Sequence, residues 1–310
     1  MKISVVIPCH NAAAWIADAL RSVQMQSNPA SEVIIVNDRS EDESTDVVST
    51  VMPAAKVIET DFGNAAAARN EGVRQASGDW IAFLDSDDWW LPEHLARAHK
   101  LLSGSSDVAF FGHYAEAWPK TIGVMEKTPA ITGCTTSGIT GDKFFECYIS
   151  ESPGWPTSGM VVARKRFAEV GGFDLEQVRR HDAEMFARVV HGRTWSYSDQ
   201  VSFMYRKEVV DAISSNTFEC SLYQLKAIQK VTGLYGSRDR TDLLLEDKAR
   251  ICVGYALRSG NSESARRAIE IAGAYAKPWH RIGARVATVA PKTVSYVTRA
   301  LDVARGKKKA

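Results

Sequence analysis

Short apolar runs that end in polar residues alternate, over the first hundred residues, with segments whose apolar positions recur at helical spacing. The runs are rich in β-branched residues, which is typical of strands buried on both faces. The predicted strands and helices are listed in chain order: strands over 3–7, 32–36, 56–59 and 80–84, and helices from a cap at Asn11 and over 41–51, 64–76 and 92–102. This alternation predicts βαβ units and a mostly parallel sheet.

The remainder of the chain is less regular and then becomes helical. Strand candidates lie at 108–111, 159–163 and 201–205, and a short helix is predicted over 182–191. From residue 217 onward the patterns are helical, with breaks at Gly260-Asn261 and Pro278. We therefore expect one α/β domain built from residues 1–104 and 105–210, followed by a helical extension over 211–310.

Composition excludes several classes of protein. The 310 residues are 45% hydrophobic and 24% charged, which argues against disorder and against a coiled coil. A net charge of +1 gives the whole chain no electrostatic reason to bind nucleic acid. The charge is uneven, however, because residues 261–310 contain eleven Lys or Arg against three acidic residues.

Cysteine usage and the length of the apolar runs predict where the protein resides. The five cysteines are scattered, without the spacing of a zinc site or of a disulfide framework, which favours a reducing compartment. No run of eighteen apolar residues occurs, so the sequence predicts no membrane span. We expect a cytoplasmic protein that is soluble or at most peripheral on the inner face of the plasma membrane.

Polar residues follow the predicted strands, and the most informative of them are Asp85 and Asp87. In open α/β sheets, ligands bind beyond the carboxyl ends of the strands. Residues i and i+2 of an extended segment point to the same side, so both carboxylates can face one cation. Two carboxylates together with substrate phosphates commonly hold Mg²⁺ or Mn²⁺. The alternative is that Asp85–Asp88 is only a turn and helix cap before Leu91-Pro92.

A series of segments in this sequence resembles, in the same order, the motifs of the family 2 glycosyltransferases, which have the GT-A fold. These segments are ISVVIPCHN (3–11), EVIIVNDRS (32–40), ARNEG (68–72), GDWIAFLDSDDWWLP (78–92), SGMVVARKRFAEVGGFD (158–174), HDAEMFAR (181–188) and Tyr205-Arg206. The resemblance covers about residues 2–207. It implies a Rossmann-like mixed, mostly parallel sheet flanked by helices, with residues 1–104 as the nucleotide-sugar-binding half and 105–210 as the acceptor-binding half.

The resemblance also implies roles for individual residues. Those expected at the donor are Pro8 and Asn11 in the loop lining the nucleoside, Asp38 at the nucleotide base, Arg69 near the donor, and Asp85 and Ser86 in the acidic loop. The guanidinium of Arg69 could pair with the diphosphate or hold Asp38 and Asp85 in place. Asp85 and Asp87 match the metal-binding DxD motif, and Asp182 matches the general base.

Three alternatives stay open at this stage. Asp38 could instead form an Asx-turn or a helix cap before Ser40. Arg69 could be a solvated helix arginine. Asp182 could be the N-cap of a helix over 183–191.

The sequence departs from the family pattern at three positions. His181 stands where the family usually has Glu, Asn64 stands where it usually has Gly, and Asn37 stands where many members have Asp. Because of His181, the contacts that support Asp182 are expected to differ from those of the family. Because of Asn64, the donor loop is expected to take a different turn.

The resulting hypothesis is a metal-dependent, inverting glycosyltransferase. It would use Mg²⁺ or Mn²⁺ to move a sugar from a nucleotide diphosphate sugar, with a UDP-sugar favoured, to a hydroxyl of a glycan or lipid-linked acceptor in cell-surface polysaccharide or glycolipid synthesis. The alternatives are a non-catalytic nucleotide-sugar-binding protein on the same fold and a sugar-phosphate nucleotidyltransferase. The nucleotidyltransferase lacks support, because such an enzyme should have a Gly-rich phosphate loop after the first strand and this sequence has Pro8-Cys9-His10-Asn11 there. Neither GxGxxG nor GK[ST] occurs, which argues against dehydrogenases and P-loop enzymes.

The segment 278–310 lies outside the resemblance and intersperses basic residues with apolar ones. Ile282, Val286 and Val289 fall at helical spacing, and Trp279 precedes them. This pattern is typical of peripheral membrane contact through an amphipathic segment. The alternative is that the apolar stripe packs on the rest of the protein.

Overall fold

The computed structural model describes residues 1–118, 123–126, 135–149, 154–207, 217–236, 239–259 and 261–276. The chain divides into two compact units, Met1–Ala212 and Ile213–Ala310. The described part of the first unit contains a mixed sheet with helices, and that of the second contains helices.

The strands of the first unit are β1 (Ile3–Cys9), β2 (Glu32–Asp38), β3 (Lys56–Thr60), β4 (Trp80–Phe83), β5 (Trp89–Trp90), β6 (Ala109–Trp118), β7 (Gly123–Glu126), β8 (Thr136–Thr140), β9 (Met160–Ala163) and β10 (Thr194–Arg206). Its helices are α1 (Ile16–Gln24), α2 (Ser44–Val51), α3 (Ala65–Gln75), α4 (His94–Leu102), α5 (Gly141–Ile149), α6 (Arg164–Glu169) and α7 (His181–Val190).

The sheet has a parallel part and a mixed part. Its strand order is β3-β2-β1-β4-β9-β6-β10-β5, with β7 paired to β6 and β8 paired to β10. Strands β3, β2, β1 and β4 are parallel, β9 is antiparallel to both of its neighbours, and β10 is parallel to β6. Cys9 pairs with Asn37, and Asp38 pairs with Thr60. The loops after β1, β2 and β3 therefore leave the sheet at the same edge, where the sequence predicted the ligand site.

The central strands form the core, as their apolar runs predicted. The side chains of β1 and β2 that are fully shielded from water include Val5, Val6, Ile7, Ile34, Ile35 and Val36. Helix α3 packs closely on these strands because Gly72 has no side chain. A Cβ atom at this position would collide with the side chains of Val6 and Val36. The glycine of the ARNEG segment therefore sets the height of α3 above the sheet.

The helix predicted to be capped by Asn11 begins only at Ile16, so the cap prediction is wrong. Asn11 has a left-handed backbone, with φ of 47°. Its side-chain oxygen accepts a hydrogen bond from the backbone amide of Glu41 at 2.8 Å, and its own amide donates to Oγ of Ser40 at 3.0 Å. Asn11 therefore joins the loop after β1 to the loop after β2.

The second half of the sheet is more extensive than predicted. The candidates at 108–111 and 201–205 are only parts of β6 and β10, and β5, β7 and β8 were not predicted. Strand β10 carries register shifts between Ser198 and Phe203, and beyond them it pairs with β5. These irregularities interrupt the alternation from which a long strand is read in a sequence.

In the second unit, the structure describes helices α8 (Thr217–Tyr235), α9 (Asp239–Ser259) and α10 (Ser262–Ala272). Helix α10 begins at the predicted break, where the side chain of Asn261 accepts hydrogen bonds from the amides of Glu263 and Ser264. None of the described helices combines the length and the apolar character that a membrane-spanning helix needs. The segment 278–310, with its predicted amphipathic pattern, lies outside the described residues.

Candidate active site

An acidic loop follows β4 at the edge of the sheet. Each of Asp85, Asp87 and Asp88 places a carboxylate oxygen within 4.8 Å of the others. Asp85, Ser86 and Asp87 are half-buried, whereas Asp88 is fully buried. The predicted pair therefore forms part of a compact cluster of three carboxylates.

Asp88 anchors this loop and was not predicted as a site residue. Its Oδ2 accepts a hydrogen bond from Oγ of Ser158 at 2.5 Å, and its Oδ1 accepts one from the backbone amide of Arg206 at 2.9 Å. Burial, followed by the charges of Asp87 and Asp85, raises the pKa of Asp88 well above its usual range. Both partners are distant in sequence, so the only signal was the third acidic residue in the loop.

Asp85 is held by Arg69. The Nη2 atom of Arg69 donates a hydrogen bond to Oδ1 of Asp85, and the backbone amide of Asp85 donates to Oγ of Ser158 at 3.1 Å. Arg69 is only 5% exposed, so its interpretation as a solvated helix arginine is wrong. A buried guanidinium paired with a carboxylate fixes that carboxylate in position.

The carboxylates of Asp85 and Asp87 suit a divalent cation. Among the described contacts, both oxygens of Asp88 are already used and one oxygen of Asp85 is used, which leaves Asp87 and Oδ2 of Asp85 for a ligand. Burial, first, and the charge of Asp85, second, raise the pKa of Asp87 to about 6. A nearby cation would relieve this repulsion, and carboxylate oxygens are the ligands that Mg²⁺ and Mn²⁺ prefer. The free carboxylate oxygens of Asp85 and Asp87 therefore fit Mg²⁺ or Mn²⁺ as ligands.

Arg206, at the end of β10, is clamped against the same loop. Its guanidinium lies between the rings of Trp15 and Trp89, at 4.8 and 4.6 Å from their centroids. Its Nε donates to the carbonyl oxygen of Asp87 at 2.7 Å, and its Nη2 donates to Oδ2 of Asp18 at 2.8 Å. The arginine of the predicted Tyr-Arg pair therefore holds the backbone of the acidic loop at Asp87.

Asp38 organises the loop that precedes α3. Its carboxylate accepts hydrogen bonds from the backbone amides of Phe62, Gly63 and Asn64, at 2.6, 3.1 and 3.0 Å. Asn64 then caps α3 by accepting from the amides of Ala66 and Ala67. These contacts replace the Asx-turn before Ser40 that stood as the alternative. A role of Asp38 toward the nucleotide base stays a prediction.

The remaining predicted donor residues lie in the loops at the same edge. Pro8 is half-buried near the end of β1, where it pairs with Val36, and Asn11 is exposed in the loop that follows. Ser86 lies between the two aspartates of the predicted metal site. Their contacts with a donor stay predictions.

Asp182 lies in the first turn of α7, which begins at His181. The N-cap of this helix is Arg180, in a left-handed conformation, so the interpretation of Asp182 as the N-cap is wrong. The carboxylate is half-buried, and its Oδ1 accepts a hydrogen bond from the amide of Ala183 at 2.9 Å. Met185 is buried on the apolar face that the sequence predicted.

Tyr205 shows that Asp182 and the acidic loop share one region of the protein. Burial raises the pKa of Tyr205, and the charges of Asp88, Asp87, Asp85 and Asp182, in that order, raise it further. The hydroxyl therefore lies in the combined field of both groups of carboxylates. The contacts agree, because Arg69 donates both to Asp85 and to His181, which precedes Asp182, so the predicted base lies in the same region as the predicted metal ligands.

Two tryptophans near this site, Trp90 and Trp155, belong to the core. Trp90 is buried, its Nε1 donates to the carbonyl of Ser158 at 2.7 Å, and its ring stacks on His94. Trp155 is also buried, among aromatic rings that include Phe144. Trp89 is half-buried and contacts Arg206. Trp90 and Trp155 therefore pack in the interior, and Trp89 is the one of these three that is partly open to solvent.

Comparisons with known proteins agree with this geometry. Residues 4–151 match the family described as "Glycosyl transferase family 2". An uncharacterized glycosyltransferase of Nostoc sp. is 35% identical over 188 residues, which are 58% of this chain and 55% of that protein. The amylovoran biosynthesis glycosyltransferase AmsB of Erwinia amylovora is 32% identical over 199 residues, which are 61% of this chain and 64% of that protein. The match thus covers less than two thirds of either relative.

Two solved structures share the fold. TarS residues 1–349 of S. aureus, in complex with UDP-GlcNAc, align with a TM-score of 0.63 and 16% identity over 100% of this chain and 93% of that chain. The mannosyltransferase PcManGT of Pyrobaculum calidifontis, in complex with GDP-Man and Mn²⁺, aligns with a TM-score of 0.56 and 15% identity over 97% and 87%. The predicted GT-A fold is confirmed, and residues 4–151, just under half of the chain, match the family 2 glycosyltransferases that the sequence resembles.

Proposed function

We propose that this protein is a metal-dependent, inverting glycosyltransferase that moves a sugar from a nucleotide diphosphate sugar to an acceptor hydroxyl. The observation that carries the proposal is the pair of contacts made by Arg69, which donates to Asp85 of the acidic loop and to His181, the residue before Asp182. A reaction of this kind needs charge neutralisation at the leaving diphosphate and a base at the acceptor.

The donor would bind at the edge formed by the loops after β1, β2 and β4. Asp85 and Asp87 would hold Mg²⁺ or Mn²⁺, which when bound neutralises the diphosphate as it leaves. Pro8, Asn11, Asp38, Arg69 and Ser86 would complete the donor site. The related structures with UDP-GlcNAc and with GDP-Man and Mn²⁺ support a nucleotide sugar as the donor, and we favour a UDP-sugar.

Asp182 would act as the general base. One of its carboxylate oxygens would take the proton of the acceptor hydroxyl as the hydroxyl oxygen bonds to the anomeric carbon. The bond from that carbon to the diphosphate oxygen breaks in the same step, and the nucleoside diphosphate leaves with the electron pair. Attack from the face opposite the leaving group inverts the anomeric centre. This single displacement needs one base and no enzyme nucleophile.

The acceptor that we propose is a glycan or a lipid-linked saccharide. The similarity to AmsB, an amylovoran biosynthesis glycosyltransferase, supports a role in cell-surface polysaccharide synthesis. We further propose that residues 1–104 bind the donor, that residues 105–210 bind the acceptor, and that 211–310 is an extension whose segment 278–310 contacts the inner face of the plasma membrane.

A screen of nucleotide sugars with and without Mn²⁺ tests the proposal. Thermal shift identifies the donor, since a ligand at 100 times its Kd stabilises the folded state by about 2.7 kcal/mol. Release of nucleoside diphosphate, and its increase with an added acceptor, then measures transfer. A stabilising donor without any release would favour the non-catalytic binding protein. Release of pyrophosphate from a nucleoside triphosphate and a sugar phosphate would favour the nucleotidyltransferase.

A further inference from the structure

Arg69 joins the acidic loop to helix α7. Its Nη2 donates to Oδ1 of Asp85, while its Nη1 donates to Nε2 of His181 at 2.9 Å and to the carbonyl of Ala65 at 3.3 Å. His181 is 8% exposed, so the contact is shielded from water. One guanidinium thus connects a predicted metal ligand with the residue that precedes Asp182.

The geometry assigns the protonation state of His181. An arginine side chain stays protonated and can only donate hydrogen bonds. The Nε2 atom of His181 therefore accepts and carries no proton, and the imidazole is neutral. Burial and the charge of Arg69 also lower the pKa of His181 to about 4. His181 gives Arg69 an acceptor without adding a charge.

Phe173 fixes both partners in place. Its ring meets the imidazole of His181 edge to face, with the centroids 5.4 Å apart, and the guanidinium of Arg69 lies 5.6 Å from its centroid. Asn70 holds Phe173 against α3, because its side chain exchanges two hydrogen bonds of 2.8 Å with the backbone of Phe173. The contact between Arg69 and His181 is therefore rigidly supported.

We propose that His181 is a positioning residue that holds Arg69 as a neutral acceptor. In this arrangement Asp85 is the carboxylate that pairs directly with the guanidinium, and Asp182 is set at a fixed position relative to the acidic loop. The inference rests on the proposed function, because it takes Asp85 as a ligand of a cation and Asp182 as the base.

Three substitutions of His181 separate the effect of a hydrogen-bond acceptor at this position from the effect of a charge there. Gln at 181 offers a neutral acceptor, Met offers none, and Glu offers a charged one. We expect His181→Met to lower kcat by roughly 10- to 100-fold through misplacement of Asp182, and His181→Gln to recover most of that loss. We expect His181→Glu to bind Mn²⁺ roughly five- to tenfold more tightly, because it adds a negative charge near Asp85.

Two measurements on the full chain test these expectations. Electron paramagnetic resonance of free Mn²⁺ gives the metal affinity without a donor, and release of nucleoside diphosphate from the donor found in the screen gives kcat and KM. His99→Glu, which adds the same charge on α4, is the control for the charge, and circular dichroism with thermal melting checks the fold of each variant.

The outcomes are distinct. Equal loss of kcat in His181→Gln and His181→Met would overturn the acceptor role, and equal Mn²⁺ affinity in His181→Gln and His181→Glu would overturn the role of neutrality. The second comparison remains decisive if His181→Met does not fold. Wild-type protein that neither binds Mn²⁺ nor releases a nucleoside diphosphate would overturn the proposed function, and this inference with it.

Discussion

The backbone amide of Arg206 donates a hydrogen bond to the carboxylate of Asp88, which lies 118 positions earlier in the chain. The same arginine donates from Nε to the carbonyl of Asp87. The end of β10 and the acidic loop are therefore one structural unit. A change in the side chain of Arg206 should thus alter the position of Asp87, which we propose as a metal ligand.

Arg206→Lys should destabilise the fold by about 1–3 kcal/mol, because an ammonium group cannot stack flat between two indole rings and offers one nitrogen in place of the two, Nε and Nη2, that now donate. Denaturant unfolding measures the loss. Arg21→Lys is the matched control, since Arg21 contacts the same Asp18 at 3.9 Å from an exposed position. It should change stability by less than about 0.5 kcal/mol. Equal effects of the two substitutions would contradict a special role for Arg206.

Asp87→Asn should remove most turnover together with the metal-dependent part of donor binding, because an amide supplies no charge to Mg²⁺ or Mn²⁺. Calorimetric titration of the donor with and without Mn²⁺ measures this. Asp46→Asn, which removes an exposed carboxylate from α2, should leave both quantities unchanged. Metal-dependent turnover that persists in Asp87→Asn would exclude Asp87 as a ligand.

Asp182→Asn should lower transfer to the acceptor by roughly 10²- to 10⁴-fold, the usual contribution of a positioned base. Donor and metal affinity should stay near the wild-type values, because Asp182 lies on α7 and not in the acidic loop. Transfer rates and donor Kd are measured on the same preparation. A joint collapse of donor binding and transfer would instead identify Asp182 as a structural residue.

The stability of the fold should fall as the pH drops below 6.5, in part through His94. Burial lowers the pKa of His94 to about 3, so between pH 6.5 and 3 the unfolded chain takes up a proton that the folded chain does not. From pH 7 to pH 5 this group alone should cost about 2 kcal/mol of unfolding free energy.

Denaturant unfolding of wild type and His94→Phe at both pH values isolates this contribution. Phe keeps a ring against Trp90 but cannot take up a proton, so the wild type should lose more stability than the variant between the two pH values. The difference between the two proteins excludes carboxylates that titrate in both. Identical pH dependence would show that His94 does not contribute.

The basic segment 278–310 should bind anionic membranes. Each Lys or Arg near such a surface contributes about 1 kcal/mol, so several together give binding that salt reverses. We expect the full chain to co-sediment with anionic liposomes at low salt and to be released at high salt. A variant without residues 278–310 should not sediment but should retain nucleoside diphosphate release. Equal sedimentation of both proteins would favour packing of the segment on the rest of the protein.

The donor half of the fold could be predicted from the sequence, because three of its four parallel strands, β1, β2 and β4, are largely buried and read as apolar runs. Each run ends in the polar residues that form the site edge, so Asp38, Asp85 and Asp87 could be placed together. The predicted fold is confirmed, and residues 4–151 match the family that the sequence resembles.

The second half could not be predicted in the same detail. Strand β10 is irregular and pairs with the two-residue strand β5, which no periodicity can reveal. The support given by Asp88, Ser158 and Arg206 depends on contacts between distant residues, whose partners a single sequence does not identify. No local sequence pattern identifies these contacts, because the amide of Arg206 meets the carboxylate of Asp88 only once the sheet has formed.

The close approach of Gly72 to Val6 and Val36 has a consequence for engineering the donor preference. Arg69 lies one turn before Gly72 on α3, so a larger residue at 72 would lift the arginine away from Asp85 along with the helix. Redesign of α3 would therefore disturb every donor at once. A library aimed at a new donor should leave this helix untouched and vary exposed side chains of the loops at the same edge, such as Phe62 after β3.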